Sequence, residues 1–376
     1  MSLDHQWSRV ELALGRPLGV VPEALSLPVC ARTPREELER LIDDQYASSR
    51  QVFVCFSGGR DSSAVLALAT HVARRRGAPL PVPVTLRFPD HPESDETQWQ
   101  EMVVRHLGLS DWMVIDRPDA DLLDPGITDL LAVWGLFYPS QIGSYLPIVD
   151  AAAGGVLLTG EGGDESFGGW QFRAAVHPWG WGPRSAAKSS AVAVLNRGPA
   201  AMQNWYRRRS RPYPWLTPAG SAAVEVALGE TGEREPLAWR RYLAWMFARR
   251  SWCLAQRTLS GVGQTSGCHV VHPLAEPTLL RSLSSAWSWR GPIDRTAVME
   301  AVVGDLLPRQ IVERDDKAVL ASVFLGARSR AFIEQWDGSG VDAEWIDTKA
   351  LRVVWARRYP YVGTFNLLHQ AWLSRA

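Results

Sequence analysis

Residues Val52–Phe56 form a short apolar run that stops at Ser57-Gly58-Gly59, and after Arg60-Asp61 an apolar pattern of helical spacing runs from Ser62 to about Arg76. A strand that ends in glycines and opens directly into a helix narrows the fold to the α/β class. It also makes a cradle for an anion. The glycines let backbone approach a phosphate closely, and the N–H groups at the helix start have no internal partners. Ser57, Ser62 and Ser63 are read as hydroxyl donors to the same anion. Asp61 would repel a phosphate on its own, so its place in the turn implies a divalent cation between the two, and Mg²⁺ prefers a carboxylate plus phosphate oxygens. A bare strand–helix turn needs neither the carboxylate nor the serines. A Walker A loop would need a Gly-Lys-Ser/Thr that is absent here, and the G-x-G-x-x-G dinucleotide fingerprint is absent too.

The surrounding pattern extends this reading. Residues 35–49 have helical spacing, 82–88 are rich in strand formers, 93–108 read as a helix with an acidic first turn, and 112–116 and 154–160 read as strands. Strands alternating with helices predict a parallel sheet covered on both faces. After about residue 170 the chain becomes turn-rich and basic, then helical over 236–258, 277–288, 294–306, 322–336 and 364–374. The expected organisation is an N-terminal extension (1–34), a nucleotide-binding α/β core (35–170) and a mostly helical substrate region (171–376) packed on it. Lys+Arg and Asp+Glu are both 40, so no global field draws the chain to nucleic acid or to an anionic membrane. The basic runs 73–78 and 206–212 read as solvated surface, with an RNA-binding face as the alternative. No apolar run reaches the ~20 residues of a membrane span, and the N-terminus has no leader-like apolar core. Cys30, Cys55, Cys253 and Cys268 lack metal-ligand spacing, which suits a reduced, cytoplasmic protein. The 18 tryptophans are read mainly as core filling, with a substrate-contacting surface at 177–216 as the other expectation.

The stretch SGGRDSS resembles the pyrophosphate-binding loop of the PP-loop ATP pyrophosphatases. A second stretch, VLLTGEGGDESFGGW (156–170), again ends a strand in a glycine-rich turn carrying acids, Glu161, Asp164 and Glu165. It resembles the synthetase-domain loop of the asparagine synthetase family, which includes β-lactam synthetase and the lasso-peptide cyclases. If the two strands are neighbours, both turns meet at the carboxyl edge of the sheet. By resemblance, ATP and Mg²⁺ are the cofactors. Ser57, Gly58, Gly59, Asp61 and Ser62 hold phosphate, Asp61 and Asp164 hold magnesium, and Leu86, Thr159 and Gly160 lie near the nucleoside. Glu161 takes the Gly-Glu-Gly position, where β-lactam synthetase has a tyrosine that serves substrate deprotonation.

A third stretch, LLPRQIVERDDKAVLASVF (306–324), looks like the family segment that follows a Leu-Pro and delivers a catalytic lysine. Lys317 is the matching residue and is one of three lysines among 40 basic residues. Ala318, Val319 and Leu320 follow it where the family often has an aromatic. The resemblance implies a ligase that adenylates a carboxylate and passes it to an amine. Residue 2 is Ser, and about 50 residues precede the phosphate loop, so no glutaminase domain is expected. The amine is then ammonia, supplied free or by a partner, or an amine on a small-molecule or peptide substrate. Arginine- and tryptophan-rich usage suggests natural-product or modified-peptide biosynthesis, lasso-like by resemblance. Two other readings stand beside this one: a different PP-loop enzyme, such as an RNA-modifying one, and a non-catalytic ATP-binding scaffold.

Overall fold

The computed structural model describes residues 6–48, 51–170, 172, 213–231 and 234–375. Most of the Trp-rich basic stretch 177–216, including the basic run 206–212, lies outside the described residues. The centre is a parallel sheet of five strands, β1 (Val52–Cys55), β2 (Val82–Arg87), β3 (Met113–Asp116), β4 (Val156–Leu158) and β5 (His269–Val271), in the order β3-β2-β1-β4-β5. The order runs outward in both directions from β1, so the strand order reverses between β1 and β4. In open α/β sheets, ligands bind at the carboxyl ends of the strands beside such a reversal. β1 and β4 pair in the register Val52↔Val156, Phe53↔Leu157 and Val54↔Leu158. That register puts the glycine-rich turns after the two strands next to each other.

Alternation along the strands builds two cores. Val52, Val54, Phe56, Val156 and Leu158 face one cluster, completed by helices Pro34–Ser48, Arg60–Arg76, Pro277–Ala286 and Arg295–Val303. Val84, Leu157 and Val270 face the other, with Ile127, Leu131, Val149 and Leu259. Helix Arg60–Arg76 is buried almost continuously from Ser62 to Ala73, and it stops where Gly77 takes the left-handed conformation (φ 64°). A third cluster gathers the C-terminal helices around Trp215, Trp336 and Trp355. Trp336 and Trp355 lie 4.8 Å apart, centroid to centroid. These buried tryptophans fill core, as expected for most of them.

The strands and helices expected between residues 35 and 160 are all present. Two features differ from the sequence reading. β5 falls between the helices read at 236–258 and 277–288, where no strand was expected, and it completes the sheet by pairing with β4 (Leu157↔Val270). Three residues between two helices are too short to show strand alternation. Helices Arg9–Leu14, Pro125–Trp134, Leu146–Ala151, Pro218–Glu230 and Thr348–Trp355 were also not expected. No described helix is long and apolar enough to cross a membrane.

Candidate active site

The first turn is held rigidly. Gly58 has φ 87°, and a Cβ there would come within 2.9 Å of Gln100 Cγ, so the position accepts only glycine. Gln100 Nε2 donates to Ser57 O at 3.1 Å. Ser62 Oγ accepts from Ser57 N (3.2 Å), donates to Gly59 O (3.1 Å) and lies 3.0 Å from Ser57 Oγ. The two hydroxyls thus brace the loop as well as facing it. Ser63, read as a third donor, is fully buried in the packed face of the helix and is withdrawn from the surface of the cradle.

The second turn presses against the first. A Cβ on Gly160 would stand 2.7 Å from Ser62 N, and one on Gly163 would enter the Asp61 carboxylate. Both glycines are therefore required by close approach. Thr159 is fully buried. Its hydroxyl lies 2.7 Å from His272 Nδ1 and accepts from Glu161 N at 3.3 Å. Leu86, at the carboxyl end of β2, is partly buried.

The charged groups converge between the turns. Arg295, the first residue of helix Arg295–Val303, donates through Nη2 to Asp61 Oδ1 and through Nη1 to Asp164 Oδ1 at 2.7 Å. Lys317 Nζ donates to the other Asp164 oxygen at 2.6 Å. Burial raises Asp61 above the usual carboxylate range despite Arg295. Burial acts the same way on Asp164, but Lys317 and Arg295 together outweigh it and lower that group. Glu161 accepts a short hydrogen bond from Tyr145 Oη. Burial raises Glu161, with nearby Asp164 adding to it, and burial and Glu161 raise Tyr145 well above a phenol's ordinary value. Burial also pushes Glu165 up to about 7 and His272 down to about 4.

The asparagine synthase family model matches residues 33–372 of this chain. The chain belongs to the asparagine synthase family. No curated protein matches it. Membership places it among ATP-using, amide-forming synthetases, whose substrates are a carboxylate and ammonia or an amine.

In this asparagine synthase family member, the segment carrying Lys317 has no regular secondary structure and is pinned from both sides. The Arg314 side chain is 4% exposed. Its guanidinium grips both oxygens of Glu96 (Nη2 to Oε1 2.7 Å), donates to Gly58 O at 3.1 Å and lies 4.6 Å from the Trp99 ring centre. Ala318 N donates to the same Glu96 at 3.0 Å, and Val319 N to Glu93 O at 3.0 Å. Lys317 itself is 75% exposed, held over the site by a fixed base.

Among the described residues, no group of three or more His, Cys, Asp or Glu side chains is arranged to hold a metal. Asp61 and Asp164 instead share the Arg295 guanidinium, which bridges them through separate nitrogens and stands in for a cation between the two. Two carboxylates completed by phosphate oxygens are the donor set Mg²⁺ prefers. Arg295, Tyr145, Glu96 and Arg314 did not emerge as site residues from the sequence. Glu96 and Arg314 lie in stretches singled out there, but their pairing spans 218 residues.

Proposed function

We propose that the protein is an AMP-forming carbon–nitrogen ligase that adenylates a substrate carboxylate and transfers the acyl group to an amine. The observation that carries this reading is the meeting of Asp61, Asp164 and Lys317 between two glycine-rich turns on adjacent parallel strands. The turn at Ser57, Gly58, Gly59 and Ser62 holds the β- and γ-phosphates. Leu86, Thr159 and Gly160 line the nucleoside side. Asp61 and Asp164 hold Mg²⁺, which, when bound, neutralises charge on the triphosphate.

A carboxylate oxygen attacks the α-phosphorus, the bond to the bridging oxygen breaks and pyrophosphate leaves. Lys317 stabilises negative charge as it develops, from an exposed tip on a fixed base. The amine then attacks the acyl carbon of the adenylate, AMP departs and one proton is lost. Glu161 takes or orients that proton. Its raised affinity for protons and its hydrogen bond from Tyr145 support this role. Residues 35–170 supply four strands and both glycine-rich turns of the nucleotide core, and 171–376 form the substrate region while lending the core β5, Arg295 and Lys317. The amine is ammonia or part of a small-molecule or peptide substrate, within natural-product or lasso-like peptide chemistry. All four cysteines are free thiols, which suits a reducing cytoplasm.

Calorimetry of a non-hydrolysable ATP analogue, with and without Mg²⁺, tests the site. Binding should depend on magnesium and weaken at least about tenfold in Asp61→Asn and Asp164→Asn, each of which removes one charge from the pair. Wild type that binds no analogue in either condition sinks the reading. Binding licenses a screen of acid–amine pairs for pyrophosphate release.

A further inference from the structure

Arg295 stands where a metal would. Its guanidinium spans Asp61 and Asp164, and Lys317 shares the second of them, so both carboxylates already have a cationic partner. The two cations differ in kind. The Lys317 side chain is 75% exposed, whereas the Arg295 side chain is 18% exposed. The Arg295 stem lies against Gly168, where a Cβ would come within 3.2 Å of its Cδ. The helix it opens is capped by Asp294, whose side chain accepts from Ala297 N at 2.8 Å. Arg295 is also incompletely satisfied: Nε is buried without a hydrogen-bond partner among the described residues. A buried donor left unpaired favours an alternative arrangement that pairs it. Arg60, at the start of the neighbouring helix, adds a third positive charge near Asp61 and Asp164 and feels Arg295.

A bare divalent cation approaching Asp61 and Asp164 meets carboxylates already paired to Arg295 and Lys317, with Arg60 near them and Glu161, Glu165 and Asp315 bordering the cluster. A nucleotide triphosphate brings a second set of anionic oxygens to which the Arg295 guanidinium can pass.

We propose that Arg295 is an internal counter-ion that blocks the two carboxylates to free divalent metal and yields them only to a metal that arrives with nucleotide, its guanidinium passing to the phosphates. This rests on the nucleotide–metal reading of the site. It makes Arg295 a positioning residue: it holds Asp61 and Asp164 in register while the site is empty and enforces joint entry of metal and nucleotide.

The test uses Mn²⁺ alone as probe, with free ion counted by electron paramagnetic resonance, on the full chain without nucleotide. Wild type and Arg295→Lys should bind Mn²⁺ weakly. Arg295→Gln should bind it at least about tenfold more tightly, because a positive charge is lost from between the carboxylates. Adding Asp164→Asn to Arg295→Gln should abolish the gain. A gain of affinity cannot come from a variant that fails to fold, and the wild-type measurement stands whatever the variants do. Wild type that binds Mn²⁺ alone as tightly as it does with the ATP analogue overturns the proposal. So does Arg295→Gln with unchanged Mn²⁺ affinity while wild type still binds the Mn²⁺–analogue complex, and that result leaves the ligase reading intact. Wild type that binds neither Mn²⁺ nor the complex overturns both.

Discussion

Two arginines flank the phosphate turn, and they are built differently. Arg314 is sealed: a bidentate carboxylate, a backbone carbonyl, Asp316 and the Trp99 ring use its donors and its face. Arg295 is held by two carboxylates, and its Nε has no hydrogen-bond partner among the described residues. A saturated guanidinium in a dry setting is a fixed strut, because every alternative leaves buried donors unpaired. An unsaturated one at the mouth of a site is ready to change partners. Lys317 lies between the two, anchored through the first and facing the acid shared with the second.

The largest expected effect tests what hangs from the strut. Lys317→Ala should lower turnover by about 10² to 10³ while changing ATP-analogue affinity much less, read by pyrophosphate release against calorimetry. Next, Glu96→Gln breaks the strut itself by removing the bidentate carboxylate of Arg314 and leaving only the exposed Asp316 as its counter-charge. A stability loss of about 3 kcal/mol in urea unfolding is expected, together with reduced turnover as the Lys317 segment loosens. A stability change below about 0.5 kcal/mol would mean that Arg314 is no more fixed than Arg295.

Smaller again is Gly163→Ala, which wedges a methyl group between the turns at Asp61. About 1 to 3 kcal/mol of overpacking is expected, and Mg²⁺-dependent nucleotide binding should fall with it. Glu37 supplies a static control far from any exchange. Burial works to raise this carboxyl, but the hydrogen bonds and charge of Arg40 prevail and lower it to about 2. Its folded-state value lies below the unfolded one, so its contribution is complete above about pH 4.5 and is lost as pH falls toward about 2. Glu37→Gln should therefore cost about 1 to 2 kcal/mol near neutrality and nothing at the acid end, in unfolding curves across pH.

The two arginines also mark the limit of what the sequence alone conveys. Val52–Phe56 with its glycine turn, and the 156–170 stretch, announce themselves locally, because a strand, a turn and a helix start each have a signature within ten residues. Asp61, Asp164 and Glu161 stand out as candidates because they sit inside those stretches, whereas Lys317 stands out only through a family resemblance, in a segment with no regular secondary structure. Arg295 had no such signal: it opens an ordinary amphipathic helix, and its partner Asp61 is 234 positions away. Tyr145 ends a short 3-10 helix, Ser140–Tyr145, and its bond to Glu161 joins two segments whose local patterns do not announce the contact. β5 is too short for its period to register. These features are fixed by tertiary packing across long separations, to which local pattern is blind.

The arrival of β5 sets a clock on synthesis. Its partner strand β4 leaves the ribosome first, and the pairing residues Val156 and His269 are on the order of 110 residues apart. At about 5–20 residues per second, the apolar edge of β4 waits roughly 5–20 s for its neighbour. Arg295 and Lys317 emerge later still, so a nascent chain carries both glycine-rich turns before it has either cation that faces their acids. Through that interval an unpaired strand edge, open to other chains, is the part of the molecule most in need of shielding.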